Sequence, residues 1–234
     1  MPQPHALRDY ALIADGERGA LVGPRGDIPW LCAPRWDSEA VFAALIGGAG
    51  HYTLTPRGRF VRGGYYRDGS LVWCNRWTTE RGIVECHDAL ALPGDPHRVV
   101  LLRRITAMDA SAEVLVHLEP CAGYGTEPSR NVRRDDEGVW TGRSGALRWR
   151  WSGAGEARPV RRSLRTTGLG AEIALAPGTS RDLVLEICDR PLGDPMVPSR
   201  AWAATGNVGT RRCPPWRRRS RPGTPATPAP CCAV

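Results

Sequence analysis

Cys86, His87 and Asp88 form the only compact group of reactive side chains in the sequence. A thiolate activated by an imidazole, with a carboxylate orienting the ring, would be a nucleophile for covalent catalysis. The stretch from Ile83 to Leu92 reads as a strand, however, and neighbouring strand residues point to opposite faces. Cys86 and Asp88 then share one side while His87 takes the other. That splits thiol from base, and two ligands are too few for zinc. Ordinary strand packing is the expected role.

Glu80, Glu85 and Asp88 could approach one another across a hairpin. Glycoside hydrolysis needs an acid and a base flanking the scissile bond. Glu80 lies beside a glycine turn, where solvated carboxylates are common, and nothing nearby predicts the perturbed pKa of a general acid. His117 and Cys121 are four residues apart, but Pro120 intervenes and no further ligand is close in sequence. The five histidines are too dispersed to prefer a metal site. No GxSxG, HExxH, P-loop or Rossmann glycine pattern occurs. No catalytic, cofactor-binding or metal-binding residue is therefore assigned, and no cofactor is expected.

The elements that would carry these residues read as short strands. Leu7–Val22 holds two strands around a turn at Asp15-Gly16, and Pro24-Arg25-Gly26-Asp27 turns the chain toward Ile28–Leu31. The Arg-Gly-Asp triplet is explained by that turn and is not taken as an adhesion motif. Ser38 is placed as the N-cap of one short helix over Val41–Ile46, stopped at Gly47-Gly48. Phe60–Tyr66 is extended, and Leu71, Trp73 and Trp77 alternate against Val72, Cys74 and Arg76. Further strands are expected at Ile83–Leu92, Arg98–Thr106 and Glu113–Glu119. Leu147, Trp149 and Trp151 alternate with Arg148 and Arg150 as a half-buried strand. Leu169–Ala176 and Arg181–Cys188 form the last pair around Pro177-Gly178. Strands this short, with turns every several residues, argue for an antiparallel sandwich.

Composition narrows the function classes. The net charge is +8, but residues 206–234 hold six of the 32 basic residues and none of the 24 acidic ones. The body is nearly balanced, so its charge does not mark a nucleic-acid-binding face. Every basic residue is Arg, as a GC-rich genome would give. The eight Cys show no CxxC pair, which excludes both a zinc-finger pattern and a dense disulfide scaffold. The first residues lack a secretory signal and no apolar run could cross a membrane, making a cytoplasmic location the expectation.

The stretch from Tyr10 to Ser38, YALIADGERGALVGPRGDIPWLCAPRWDS, resembles the start of bacterial glycoside hydrolase family 15 proteins, glucoamylase-like and trehalase-like. That family shows YALIGD, ALVG and a GSIDWLC-PRFDSP run; Phe42 and Leu45-Ile46-Gly47 fit its continuation. Tyr65–Val72, Trp77-Thr78-Thr79, Gly82–Asp88, Leu102–Ile105 and Pro120 with Tyr124-Gly125 match later segments in the same order. Cys121 and the pair Cys86-His87 depart from the family's usual residues. The resemblance implies an antiparallel β supersandwich ahead of an (α/α)6 barrel. In the family, two glutamates of that barrel act as acid and base in inverting hydrolysis of α-glucosides.

The resulting expectation is a mainly β chain: an amino-terminal β-sandwich domain at 1–200, then the start of a linker helix and an Arg/Pro-rich disordered tail at 201–234. The catalytic barrel is expected to be absent, through a shift of reading frame near residues 205–210. The expected function is that of a truncated, non-catalytic domain whose relatives hydrolyse glucans or trehalose. The alternative is a stand-alone carbohydrate-binding or accessory domain that pairs with a separate barrel. Expected partners are the barrel and an α-glucan or trehalose, with no nucleic acid and no membrane. The residues do not choose between glucoamylase-like and trehalase-like ancestry.

Overall fold

The computed structural model describes residues 5–161 and 167–212. Turn-forming glycines and prolines punctuate short runs of β-branched and aromatic residues, and each run becomes a strand. After a 3-10 turn at Leu7–Asp9 come β1 (Ala11–Ala14), β2 (Gly19–Val22), β3 (Asp27–Ile28), β4 (Trp30–Cys32) and β5 (Ala40–Phe42). A second 3-10 turn, Ala44–Ile46, precedes β6 (His51–Pro56), β7 (Phe60–Tyr66) and β8 (Trp73–Thr79). Then follow β9 (Ile83–Leu90), β10 (Arg98–Ala107), β11 (Ala112–Glu119) and a single helical turn, α1 (Ala122–Gly125). Next are β12 (Glu127–Pro128), β13 (Arg130–Arg134), β14 (Trp140–Ser144), β15 (Leu147–Ser152) and β16 (Arg158–Arg161). β17 (Thr167–Leu175), β18 (Ser180–Cys188) and helix α2 (Pro198–Arg212) end the described part.

The strands make three antiparallel sheets. Eight lie in the order β13-β14-β15-β18-β10-β9-β8-β7, five in the order β16-β17-β11-β6-β3, and four in the order β1-β2-β4-β5. One hydrophobic core draws on all three: Trp77, Trp149, Trp151 and Leu101 from the first, Tyr52, Leu54, Val114 and Ile173 from the second, Ile13 and Leu31 from the third. The Trp151 indole donates to the Tyr52 hydroxyl at 2.9 Å and meets its ring edge-on, tying β15 to β6 across the core. Tight reversals supply the crossings. Gly26 sits at φ +75°, and a Cβ there would lie 2.0 Å from the Leu54 carbonyl oxygen, so the close approach of that turn to β6 needs glycine. The Arg25-Gly26-Asp27 turn is thereby built into the sheet junction, with Asp27 buried.

The outer face of the eight-stranded sheet is covered by α2. Ala201 joins Val100, Leu102 and Val184 in a second cluster, with Met196 and Trp202 packed against it. The Trp202 indole donates to Asp182 at 3.0 Å, and the Leu92 amide donates to the Thr205 hydroxyl at 3.1 Å. The helix expected to begin at Ala201 thus starts at Pro198, where the missing amide hydrogen costs nothing. The expected Arg/Pro-rich disordered tail, from residue 213 onward, lies outside the described residues.

Several local expectations are corrected. The short helix over Val41–Ile46 is strand β5 followed by the 3-10 turn, and Ser38 caps no helix; its hydroxyl accepts from the Arg35 amide at 3.1 Å. β5 hydrogen-bonds to β4, so pairing outweighed the local helical pattern. β17 and β18 do not pair with each other. β17 joins β11 and β18 joins β10, so Pro177-Gly178 carries the chain between sheets instead of closing a hairpin. Leu71 stands exposed ahead of β8. β15 is buried on both faces, because Arg150 lies under the segment around Gly193 and Asp194 and donates to both carbonyls at 2.8 Å.

Candidate functional site

Strand alternation divides the Cys86-His87-Asp88 group as the sequence implied. On β9, Cys86 and Asp88 face the core, and the Cys86 thiol donates to Asp88 Oδ1 at 3.3 Å. Burial, reinforced by the Asp88 charge, pushes this thiol well above its ordinary pKa, the opposite of what a nucleophile needs. Asp88 is paired across the sheet with Arg103 of β10. The guanidinium donates through Nε to Oδ1 at 2.7 Å and through Nη2 to Oδ2 at 3.3 Å, and Nη2 also reaches the Gly26 carbonyl at 2.8 Å. Both side chains are fully buried, and the Arg103 head lies 4.7 Å above the Tyr52 ring. This is an interior ion pair within the eight-stranded sheet, whose guanidinium also reaches the Gly26 turn and the Tyr52 ring of β6.

His87 faces outward with Glu85 and, from β8, Cys74; one donor atom of each falls within 4.8 Å of the others. Arg76 already holds the Glu85 carboxylate. Burial pushes the Cys74 thiol up to about 11 and lowers His87. A metal would have to displace a guanidinium and deprotonate a reluctant thiol, so this group is a poor cation site. Glu80 is exposed at its turn, and Glu85 and Asp88 point to opposite faces of β9. The carboxylates considered from sequence are not assembled into an acid–base pair.

Glu186 of β18 is another buried acid on this sheet. Burial alone would raise its pKa, but hydrogen bonds from Arg150 and Arg98 outweigh that and hold it below the ordinary value. Arg150 grips it with both Nε and Nη2, at 2.8 and 2.9 Å. An acid held ionised in this way cannot protonate a leaving group.

The structure assembles one group that sequence spacing did not. His117 of β11 meets not Cys121 but His51 of β6, with Nδ1 3.1 Å from His51 Nε2 and the rings stacked at 4.9 Å. Glu119 stands directly across from His51 in the ladder. All three are buried, and one donor atom from each lies within 4.8 Å of the other two. His117 and Glu119 share a face of β11 by their separation of two; the arrival of His51 depends on β6 pairing with a strand far along the chain, which sequence spacing does not show. Burial raises the neighbouring Cys121 thiol to about 11.

The surface of the described residues includes two clefts. One of about 470 Å³ is lined by Arg57, Arg59, Glu80, Arg81 and Glu113. The other, about 610 Å³, carries Glu39, Glu127 and Asp189 over a floor that includes Leu147. These exposed acids can accept hydrogen bonds from hydroxyls, but no aromatic side chain lines either cleft to stack a sugar ring. The five described cysteines are buried and free. Among the described residues, no helix is long and apolar enough to cross a membrane.

Comparison with known proteins bears on the family. The family profile described as trehalase-like, N-terminal, matches residues 2–153. A trehalase from Mycobacterium tuberculosis is 32% identical over 138 residues, covering 50% of this chain and 20% of the relative. A trehalase from Mycolicibacterium smegmatis is 31% identical over 138 residues, again covering 50% of this chain and 20% of the relative. The match thus spans about a fifth of the length of these relatives. Among solved structures, a human-microbiome chain designated a kojibiose phosphorylase aligns with 86% of this chain and 32% of its own length. Its TM-score of 0.36 and identity of 8% carry no inference. The extent of the profile match settles the family: this chain belongs to the trehalase-like, N-terminal family of glycoside hydrolase family 15.

Proposed function

We propose that this chain serves as the non-catalytic β domain of a family 15 hydrolase, packing against an (α/α)6 barrel that cleaves α-glucosidic bonds in glucans or trehalose. The observation that supports this most is the surface of β7. It is an edge strand of the eight-stranded sheet, and nearly its whole length is exposed. Val61 is 74% exposed there, with Tyr65 and the following Leu71 also open. An uncovered apolar edge is a liability that proteins normally blunt or cover, and an interdomain contact is one way of covering it. The commitment of Asp15, Glu85, Asp88 and Glu186 to arginines supports the non-catalytic half of the reading.

Sedimentation velocity on the full chain tests the proposed contact. This chain on its own is expected to self-associate with rising concentration, and Val61→Lys with Leu71→Lys should return it to a monomer. A parent chain that is monodisperse and monomeric up to high concentration would count against the reading. Saturable binding of maltodextrin or trehalose without turnover would move the assignment to a carbohydrate-binding accessory domain.

A further inference from the structure

We propose that His51, His117 and Glu119 bind a divalent transition-metal ion of the zinc class. The register of β6 and β11 sets Glu119 opposite His51 and Thr53 opposite His117. The three side chains therefore leave the sheet on one face, while Tyr52, Leu54 and Leu118 fill the core from the other. Rigid paired strands, not loops, fix their spacing, as a preorganised ligand set requires.

The spacing suits a shared ion. Two ring nitrogens each about 2.0–2.1 Å from one zinc lie roughly 2.8–3.4 Å apart for angles between square and tetrahedral. His51 Nε2 and His117 Nδ1 are 3.1 Å apart. The carboxylate of Glu119 supplies a third donor within 4.8 Å, close enough for a small side-chain adjustment to complete the set. Two imidazoles and a carboxylate with an open fourth position match zinc, cobalt or nickel chemistry; magnesium and calcium prefer all-oxygen shells.

The surroundings fit the same occupant. His51, His117 and Glu119 are 3%, 8% and 5% exposed, so a bound ion would be screened little by solvent. Gly168 of β17 packs directly on His117, where a Cβ would come 2.5 Å from Nε2. Any larger residue would push the imidazole out of register. In the ring-to-ring hydrogen bond one imidazole donates and the other accepts. Binding the ion uses both facing lone pairs, and the bridging proton moves to the remote nitrogen of its own ring or to solvent. No redox step is involved.

The test uses the full chain carrying Cys213→Ser, Cys231→Ser and Cys232→Ser, so that tail thiols do not contribute ligands. After chelator treatment it is titrated with Zn²⁺ against a competing indicator, and separately with Co²⁺ in the spectrophotometer. One equivalent of Zn²⁺ is expected, with weak visible Co²⁺ bands and no strong near-ultraviolet sulfur charge-transfer band. His51→Gln and His117→Gln should each weaken binding by more than about tenfold, and Cys74→Ser should leave it unchanged. Zn²⁺ should raise the parent's melting temperature but not that of either variant. If a histidine variant fails to fold, Glu119→Gln carries the same reading. No stoichiometric binding, or full affinity retained in the folded ligand variants, would overturn the proposal.

Discussion

Replacing Trp151 with alanine is expected to lower the unfolding free energy by about 3–5 kcal/mol. Trp151 is fully buried on β15, between the eight-stranded and five-stranded sheets. Truncation removes a large apolar surface and leaves a hole that rigid paired strands cannot close. It also takes the indole donor from the Tyr52 hydroxyl, which is itself buried. Trp151→Phe keeps most of the volume and should cost clearly less than alanine. Urea titration reads both: the midpoint falls while the slope stays constant if the fold is retained. A loss below about 1 kcal/mol for Trp151→Ala would mean that the two sheets are not held through this contact.

The second large effect is expected at Asp88 and Arg103. Removing one partner of a buried ion pair leaves an uncompensated charge and typically costs about 3–5 kcal/mol. Asp88→Ala strands the Arg103 guanidinium in the core, with only the Gly26 carbonyl and the Tyr52 ring for company. Arg103→Met strands the carboxylate beside a thiol that burial keeps protonated. The double variant Asp88→Leu with Arg103→Met should be markedly less destabilised than the sum of the singles, because it removes both charges together. A double-mutant cycle measured by urea unfolding checks this. Strict additivity, or single losses under about 1 kcal/mol, would show that these charges reach water and do not act as a buried pair.

Much of the strand set was legible because its signals are local. β7 spans Phe60–Tyr66 as read from the sequence, and β9, β10 and β11 differ from expectation only at their ends. The alternation of Trp149 and Trp151 correctly placed both in the core. What failed was information that lies in pairing. Ser38 and the apolar residues after it suit a helix start, yet β4 lay close enough to draw Ala40–Phe42 into a strand. The Pro177-Gly178 turn suits a hairpin, but β10 and β11, already in separate sheets, claimed β18 and β17 respectively. Arg148 and Arg150 looked alike on one face of β15; Glu186 from the neighbouring strand made only Arg150 interior.

The candidate sites divide in the same way. Cys86, His87 and Asp88 are adjacent in sequence, so strand geometry alone separated them correctly. Arg103 as the partner of Asp88, and His51 as the partner of His117, depend on the sheet register and carry no short-range signature. The motif matches that identified the family are likewise local: turns and strand starts between Tyr10 and Gly125. They point to a domain type.

Glucose release from trehalose, maltose and maltodextrins is the measurement that bears most directly on the proposed non-catalytic role. The full purified chain, at high concentration and over long incubation, is expected to release no more glucose than buffer alone. A family 15 enzyme containing its barrel serves as the positive control under the same conditions. The buried carboxylates Asp88 and Glu186 are held by guanidinium groups, and the acids lining the two clefts are exposed to water, so none of these is poised to protonate a glucosidic oxygen. Glucose release that scales with the concentration of this chain, and that survives repurification, would contradict the assignment and require a catalytic carboxylate within it.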